Sequence, residues 1–330
     1  MPRPRPSPET PAQVIPPATG ARAPWEDLPA SVRDAVVELV GAPVVEAVTQ
    51  SGGFSPGVAA RLRLADGRRV FVKAVSAEAN AQSPHMHRAE ARNAAALPES
   101  VPAPAFLGSH DDGTWVALAF EDVAGRQPQM PWQSDELRRV LDAVAGLGRA
   151  LTPSPLPAPH AVERLAGAFG GWQRMLDAGD DGAGLDPWTR RNLPALAELA
   201  AGWPDATAGD TLAHGDLRAD NMLLTDDGRV VFVDWPHAMR ATPWFDLLAM
   251  LPCVRAQGGP DPEALFAVHP LAEGADPDAV TVTLAALAGY FVRQSRQPAP
   301  PGLPTVRAFQ GAQGVTALDW LRKRLGPALA

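Results

Sequence analysis

Alternating apolar and polar residues dominate the first third of the chain, where they flank turn signals such as Asp66-Gly67. An alternating run on each side of a tight turn predicts a β-hairpin, and helical spacing predicts helices between such runs. The expected elements are a helix over 25–43, a strand over 44–50, a hairpin over 58–75, a helix over 87–97 and a second hairpin that turns at 111–113. Together they predict a small antiparallel sheet with one inserted helix.

After Gly125 the apolar residues recur at helical spacing instead. We therefore predict an α+β fold with two lobes, a small antiparallel β lobe and a larger helical lobe. The expected helices of the second lobe cover 135–151, 160–176, 187–203 and 306–325, with a strand pair around 226–228. The predicted division of the chain is a disordered proline-rich tail over 1–24, a lobe over 25–124 and a lobe over 125–330.

Composition excludes some classes of function. The 330 residues are 46% hydrophobic and carry a formal net charge of -8, which disfavours binding to nucleic acid or to an anionic membrane surface. No apolar run is long enough to span a bilayer, and the proline-rich start lacks the apolar core of a secretory signal. The single cysteine, Cys253, cannot form an internal disulfide, so we expect a cytoplasmic protein.

Lysine is rare in this chain. Only Lys73 and Lys323 are lysines among 29 basic residues, and an ammonium is a compact point charge that a planar guanidinium does not replace. Lys73 ends a predicted strand, and Glu90 in the next helix can hold its ammonium; a solvated charge is the alternative. The loop before that hairpin is glycine-rich, so its backbone can approach a phosphate. Its candidate residues are Gly52, Gly53 and Ser55.

The stretch LAHGDLRADN, followed by the apolar run VVFV and Asp234, carries the strongest chemical signal. Asp216 can orient the proton of an attacking hydroxyl. Asn221 and Asp234 offer the hard oxygen ligands that Mg²⁺ prefers. Arg218 can contact a terminal phosphate, with a surface role as the alternative, and His214 is expected to brace the loop. The other interpretation of the stretch is a polar loop between two strands.

The segments HGDLRADNMLL, VVFVDW and PWFDLLAML resemble the aminoglycoside phosphotransferase family, relatives of protein kinases with the same two-lobed fold. The resemblance extends over roughly residues 44–251. It implies that Asp216 is the catalytic aspartate. It also implies that Asn221 and Asp234 hold Mg²⁺, and that Lys73 pairs with Glu90.

The same resemblance implies a nucleotide site with ATP and Mg²⁺ as cofactors. The segment FEDVAG resembles the family's hinge, where backbone groups bind adenine. The hinge residues implied are Phe120, Glu121 and Val123. Asp246 matches the structural aspartate that steadies the catalytic loop.

The spacing after Asp234 bears on the acceptor. Eleven residues separate it from Asp246, too few for the activation segment and peptide platform of a protein kinase. The sequence therefore predicts ATP- and Mg²⁺-dependent transfer of the γ-phosphate to a hydroxyl of a small molecule, either an aminoglycoside-like antibiotic or a metabolite. The alternative function is a catalytically silent nucleotide-binding module, a pseudokinase.

Overall fold

The smaller lobe is built on one antiparallel sheet. The structure, a computed structural model, describes residues 15, 16, 18, 20–54, 56–78 and 80–326. The elements of this lobe are α1 (Ala30–Val40), β1 (Val44–Thr49), β2 (Val58–Leu64), β3 (Arg69–Ser76), α2 (Ser83–Ala96), β4 (Phe106–Asp111) and β5 (Trp115–Glu121). The sheet order is β1-β2-β3-β5-β4, with every neighbouring pair antiparallel. Both predicted hairpins are therefore present.

Alternation along β3 decides which side of the sheet carries Lys73. Val70 and Val72 are buried in the core formed with α1, whereas Phe71 packs in the core on the α2 side. Because side chains two positions apart share a face, Lys73 lies on the same face as Phe71. Glu90 is one of the buried residues of α2, so the sheet and the helix bring this lysine and this glutamate together.

Four predicted helices differ in extent from the observed ones. Those expected over 160–176 and 187–203 are each interrupted, at residues 166–170 and at Asn192. The helix expected over 87–97 begins earlier, at Ser83, because a proline fits the first helical turn, where its missing N–H has no partner to lose. The helix expected over 25–43 is limited to α1. Pro29 precedes it, and Gly41 ends it in the left-handed conformation, with φ 77°.

The larger lobe is mainly helical, as predicted. Its helices are α3 (Ser134–Ala150), α4 (Ala161–Leu165), α5 (Gly171–Asp177), α6 (Pro187–Arg191), α7 (Leu193–Ala200), α8 (Trp203–Ala206), α9 (Phe245–Ala256), α10 (Pro262–Ala267), α11 (Pro277–Ser295) and α12 (Val306–Leu325). Its strands are β6 (Gly125–Arg126), β7 (Thr211–Ala213), β8 (Met222–Thr225), β9 (Val230–Phe232) and β10 (Met239–Ala241). One ladder pairs β7 with β10 and another has the order β6-β8-β9. Both ladders flank the LAHGDLRADN stretch. None of the helices in the described residues combines the length and hydropathy needed to cross a bilayer.

Part of the predicted proline-rich tail lies against the glycine-rich loop. Residues 1–14, 17 and 19 are outside the described residues. Downstream of them, the Ala21 N–H donates to the carbonyl of Gly302 at 2.9 Å, and the Gly57 N–H donates to the carbonyl of Ala21 at 3.1 Å. These hydrogen bonds join the segment before α1 to the loop between β1 and β2, and to the loop before α12.

Candidate active site

A cavity of about 460 Å³ lies between the lobes. Residues from the glycine-rich loop, β3, α2, the connector after β5 and the LAHGDLRADN stretch line it, so it receives side chains from both lobes. The sequence-predicted residues among its walls are Gly52, Gly53, Lys73, Glu90, Phe120, Glu121, Val123, Asn221 and Asp234. Ser55 lies outside the described residues. Asp216 is not in the wall itself but contacts Asn221 behind it.

Lys73 is held by a carboxylate from each lobe. Its Nζ donates to Glu90 Oε1 and to Asp234 Oδ1, each at 2.7 Å. The side chain of Lys73 is 16% exposed and that of Glu90 only 4%. An isolated charge this far from water would be strongly disfavoured, and the two carboxylates compensate it. The ammonium is therefore fixed in the wall of the cavity.

The charges of this triad shift one another's pKa values. Burial lowers the pKa of Lys73, but the charges of Asp234 and Glu90 outweigh it and hold the pKa above its ordinary value. Burial raises the pKa of Asp234, but Lys73 outweighs that effect and lowers the pKa well below its usual range. Lys73 and Asp234 are therefore both charged at neutral pH.

Asn221 and Asp234 present oxygen atoms of the kind that a Mg²⁺ ion requires. The Asn221 Nδ2 donates to the carbonyl and the Oδ2 of Asp216, at 2.8 and 3.2 Å. With its amide nitrogen engaged there, Asn221 has its Oδ1 left for a cation. The Val233 N–H donates to the Asn221 carbonyl at 3.0 Å, which places Asp234 beside it. The donor set of one amide and one carboxylate oxygen fits Mg²⁺.

Asp234 has an unusual backbone conformation. Its φ is 70°, the only positive φ of a non-glycine residue in the described part of the chain. A left-handed aspartate costs conformational energy, and such strain persists where the surrounding structure holds it. Here the salt bridge to Lys73 holds the carboxylate over the cavity.

Asp216 is paired with Arg218 in the same loop. The Arg218 Nη1 donates to both carboxylate oxygens of Asp216, at 2.6 and 2.7 Å. The other edge of the guanidinium binds Asp220. Burial raises the pKa of Asp216 to about 7, although the Arg218 charge opposes the rise. Arg218 is thus buried in an acidic pair and does not have the surface position weighed from the sequence; Asp220 is buried with it.

His214 and Asp246 brace the backbone of this loop. Asp246 accepts hydrogen bonds from the N–H groups of His214 and Gly215, at 2.7 and 2.9 Å. The His214 Nε2 donates to the Val233 carbonyl at 3.0 Å, which leaves its Nδ1 to accept the Asp216 N–H at 3.3 Å. Burial lowers the pKa of His214 to about 4, so the ring is neutral. The imidazole ties the loop to the segment that carries Asp234.

The connector between the lobes is anchored by a residue that sequence reasoning passed over. Asp122 has only 4% of its side chain exposed and forms salt bridges with Arg61 at 3.1 Å and Arg69 at 2.9 Å. These arginines project from β2 and β3. In the sequence, Asp122 was indicated only by its position between Glu121 and Val123, two of the predicted hinge residues. The ion pairs fix the backbone next to Glu121 and Val123.

Arg22 is the second wall residue that the sequence did not indicate. Its Nη2 donates to the Gly52 carbonyl at 2.5 Å, while its buried Nε has no hydrogen-bond partner in the structure. The Gly53 N–H donates to the carbonyl of Ala18 at 3.0 Å. The N-terminal segment therefore accepts a hydrogen bond from the Gly53 N–H of the glycine-rich loop, a group that was expected to face a phosphate. It also places the Arg22 guanidinium in the same cavity.

The tip of the glycine-rich loop touches the helical lobe. Phe54 packs edge-on against Phe309 of α12, with 5.0 Å between ring centroids. The guanidinium of Arg218 lies 5.5 Å from the ring of Phe54 and 5.8 Å from that of Phe309. Cations at these distances are attracted to aromatic faces. The two phenylalanines therefore lie against the guanidinium that binds Asp216.

Known proteins resemble this chain in sequence and in fold. A family model described as the phosphotransferase enzyme family matches residues 51–269. No curated protein sequence matches the chain significantly. The solved structures that are similar include a thermostable mutant of aminoglycoside phosphotransferase APH(4)-Ia in a ternary complex with ADP and hygromycin B. That structure has a TM-score of 0.60 and 17% identity, over 90% of this chain and 99% of that chain.

Two other solved structures show the same fold. Choline kinase LicA from Streptococcus pneumoniae has a TM-score of 0.57 and 13% identity, over 89% of this chain and 98% of that one. An aminoglycoside-3'-phosphotransferase of type VIII has a TM-score of 0.51 and 23% identity, over 79% of this chain and 100% of that one. The family match covers more than half of the sequence, and the neighbours share its two-lobed, protein-kinase-like architecture. The chain therefore belongs to the phosphotransferase enzyme family.

Proposed function

We propose that this protein transfers the γ-phosphate of ATP, with Mg²⁺ as cofactor, to a hydroxyl group of a small molecule. The observation that carries the proposal is the Lys73 ammonium, 2.7 Å from both Glu90 and Asp234 in the wall of the cavity between the lobes. Phosphoryl transfer depends mainly on positioned charge. This arrangement offers a fixed cation for the phosphates beside oxygen ligands for a metal.

The residues around the cavity have separate roles in this reaction. Asn221 and Asp234 would hold Mg²⁺, which when bound neutralises charge on the phosphate oxygens. Lys73 binds the phosphates from the other side. Asp216 orients the acceptor hydroxyl and takes its proton. Arg218, which binds Asp216, is within the same loop and can turn one edge to the terminal phosphate.

The hinge and the N-terminal segment complete the nucleotide site in this proposal. Backbone groups of Phe120, Glu121 and Val123, which line the cavity, would bind adenine. Gly52 and Gly53 would cover the phosphates, and Ser55 belongs to the same expected loop. Arg22 adds a phosphate contact, because its guanidinium lies in the cavity and, among the described residues, has a hydrogen bond to Gly52 and an unpaired Nε. Its position next to the loop supports that role.

Several observations support a small acceptor. The segment from Asp234 to Asp246 forms β10 and the start of α9 within eleven intervening residues, which leaves no peptide platform. The structural neighbours include a choline kinase and a phosphotransferase solved with hygromycin B. An antibiotic and a metabolite hydroxyl are both compatible with this reaction. A cytoplasmic location belongs to the same proposal, since Cys253 is a free, buried thiol.

Nucleotide binding with and without Mg²⁺ tests the proposal. We expect AMP-PNP to bind the purified chain by calorimetry, and Mg²⁺ to tighten that binding. Asp234→Asn should abolish the effect of Mg²⁺, whereas the control Asp226→Asn, at an exposed position of a hairpin turn, should keep it. Absence of AMP-PNP binding in the presence of Mg²⁺, or an equal Mg²⁺ effect in both variants, would contradict the assignment.

A silent nucleotide-binding module is the second candidate. The observation in its favour is that both carboxylate oxygens of Asp216 are occupied by Arg218. A catalytic Asp216 needs one oxygen released to the acceptor. The test compares the rate of ADP release from Mg²⁺·ATP by the parent protein and by an Asp216→Asn variant, with water or an alcohol as acceptor. A faster rate in the parent supports the enzyme. Nucleotide binding with no such difference decides for the silent module.

A further inference from the structure

The charges around Asp216 bear on the chemical class of the acceptor. This inference rests on the proposed function, since it takes Asp216 as the residue that faces the acceptor hydroxyl. Outside the cavity, the segment after Asp234 packs against Gly215, α4 contacts that segment, and Phe309 of α12 contacts Arg218. Among the described residues, these elements and α11 carry arginines, amides, a tyrosine and a histidine.

Arg164 of α4 lies next to the catalytic loop. Its Nη2 donates to the Nδ1 of His237 at 2.6 Å and lies 3.5 Å from the Pro236 carbonyl. His237 packs against Gly215, because a Cβ built on that glycine would lie 3.1 Å from the Cβ of His237. Burial lowers the pKa of His237 to about 3, so the ring is neutral. No carboxylate of the described residues pairs with Arg164.

Arg307 belongs to α12, which also carries Phe309, whose ring lies 5.8 Å from the Arg218 guanidinium. Arg307 donates to the Oε1 atoms of Gln294 and Gln310, at 2.8 and 2.9 Å, and to a backbone carbonyl. The Gln310 amide in turn donates to the Tyr290 hydroxyl at 3.4 Å. Tyr290 is close enough to Asp216, Arg218 and Arg307 for their charges to act on its pKa, which burial raises. Arg307 also lacks a carboxylate partner among the described residues.

Unpaired guanidinium groups in this position have a cost. Removing a cation from water without an opposite charge is unfavourable. Some arginines of this lobe bind backbone carbonyls, as Arg174 does, and others have carboxylate partners. Arg296 pairs with Asp180 at 3.0 Å, and Arg324 pairs with Glu263 at 2.8 Å. Among the described residues, Arg164 and Arg307 have only neutral partners. A ligand that carries negative charge would supply the missing partner.

We infer that the acceptor is an anionic hydroxyl compound, bound through its negative group by Arg164 and Arg307 while its hydroxyl faces Asp216. Bidentate hydrogen bonds from a guanidinium suit a carboxylate and a phosphate equally. A polycationic aminoglycoside would instead meet two cations that no carboxylate compensates. The side of the cleft next to Asp216 therefore selects against that class of antibiotic.

Four sugars of matched shape test the inference on the full chain loaded with Mg²⁺ and AMP-PNP. The probes are D-glucuronate, D-glucose 6-phosphate, D-glucose and D-glucosamine, with kanamycin as a polycation, all at equal ionic strength. We expect at least one of the two anions to raise Tm more than the neutral sugar does, and the amines to give no such rise. Comparison of the first two probes tells a carboxylate acceptor from a phosphorylated one.

Paired variants assign the effect to the two arginines. In Arg164→Gln/Arg307→Gln we expect the dissociation constant of the bound anion to rise about 100-fold or more, since two charged hydrogen bonds of about 1.5–3 kcal/mol each are lost. Arg138→Gln, which removes an exposed arginine of α3, should leave it unchanged. If the double glutamine variant does not fold, Arg164→Lys/Arg307→Lys should fold and keep the preference for the anion.

The outcomes separate this inference from the proposed function. If AMP-PNP binds with Mg²⁺ but neither anion stabilises the protein more than glucose, the anionic acceptor is wrong and the nucleotide assignment stands. The same holds if glucosamine or kanamycin binds as well as the anions. If AMP-PNP itself does not bind, the proposed function fails first.

Discussion

The two sides of the cleft differ in how their charges are balanced. On the nucleotide side, Lys73 has two carboxylate partners at 2.7 Å, and the cavity beside it is open. On the acceptor side, Asp216 is bound to Arg218 at 2.6 Å, and two phenylalanine rings lie against the Arg218 guanidinium. The charge of Lys73 is therefore balanced by protein groups. On the second side, Arg164 and Arg307 have no carboxylate partner among the described residues.

This difference indicates which side is general and which is particular to this chain. Every reaction of ATP needs the same phosphate and metal contacts, and the two expected metal ligands, Asn221 and Asp234, lie in one short segment. The acceptor side is assembled from α4, α11 and α12, far apart in the sequence. We therefore expect the residues on the nucleotide side to indicate the type of reaction, and those on the acceptor side to indicate the substrate.

The largest expected effect separates chemistry from nucleotide binding. Asp216→Asn removes the group that accepts the proton, so ADP release should fall about 10²–10⁴-fold. AMP-PNP affinity should not change, because Asp216 is absent from the residues that line the cavity. Steady-state kinetics and calorimetry measure the two quantities. An equal loss of turnover and affinity would show that the two sides are not separable.

The next effect measures the balance of charge on the nucleotide side. Lys73→Met leaves Glu90 buried next to a second carboxylate, and we expect a loss of about 3–5 kcal/mol in the free energy of unfolding by urea. Adding Glu90→Gln should recover part of the loss, because the uncompensated charge is removed. A single variant as stable as the parent would mean that the triad contributes nothing to folding.

A smaller effect concerns pH, and it involves one buried histidine on each side. Burial lowers the pKa of His87 to about 4 and that of His237 to about 3, against about 6.5 in an unfolded chain. Between these values the unfolded state binds more protons. The contribution of these two histidines to the free energy of unfolding should therefore fall as pH drops below about 6.5, by up to about 1.4 kcal/mol per pH unit for each histidine, whereas the raised pKa of Asp216 acts in the opposite direction.

Urea unfolding at pH 7, 6 and 5 measures that slope. His87→Gln and His237→Gln should each flatten it, and the double variant should flatten it further. A slope that neither substitution alters would assign the acid sensitivity to other groups.

The smallest effect concerns the N-terminal segment. Arg22→Gln should raise KM for ATP about tenfold, the value of one charged hydrogen bond, and leave kcat unchanged. Arg63→Gln is the matched control, because Arg63 pairs with Glu46 at an exposed position. A KM equal to that of the Arg63→Gln control would mean that Arg22 contacts the loop and not the nucleotide.

Much of the fold and of the nucleotide side could be predicted from the sequence. Strand alternation around Asp66-Gly67 and around 111–113 predicted both hairpins, because period-two patterns and turn residues act locally. Helix ends were less accurate, since Pro84 and Gly41 shift them by local capping. The fold class is confirmed by the structural neighbours. The roles of the site residues stay predictions.

The sequence by itself determined the motif residues that lie close together and have specific chemistry. Examples are Asp216 and Asn221, and Asp234 after an apolar run. Only the tertiary structure decided that Arg22 lies in the cavity between the lobes and that Arg164 and Arg307 have neutral partners among the described residues. The physical reason is that a motif follows from backbone geometry over a few residues. The charge balance of a pocket depends on which distant surfaces pack together, and a hydrophobic pattern does not encode that pairing.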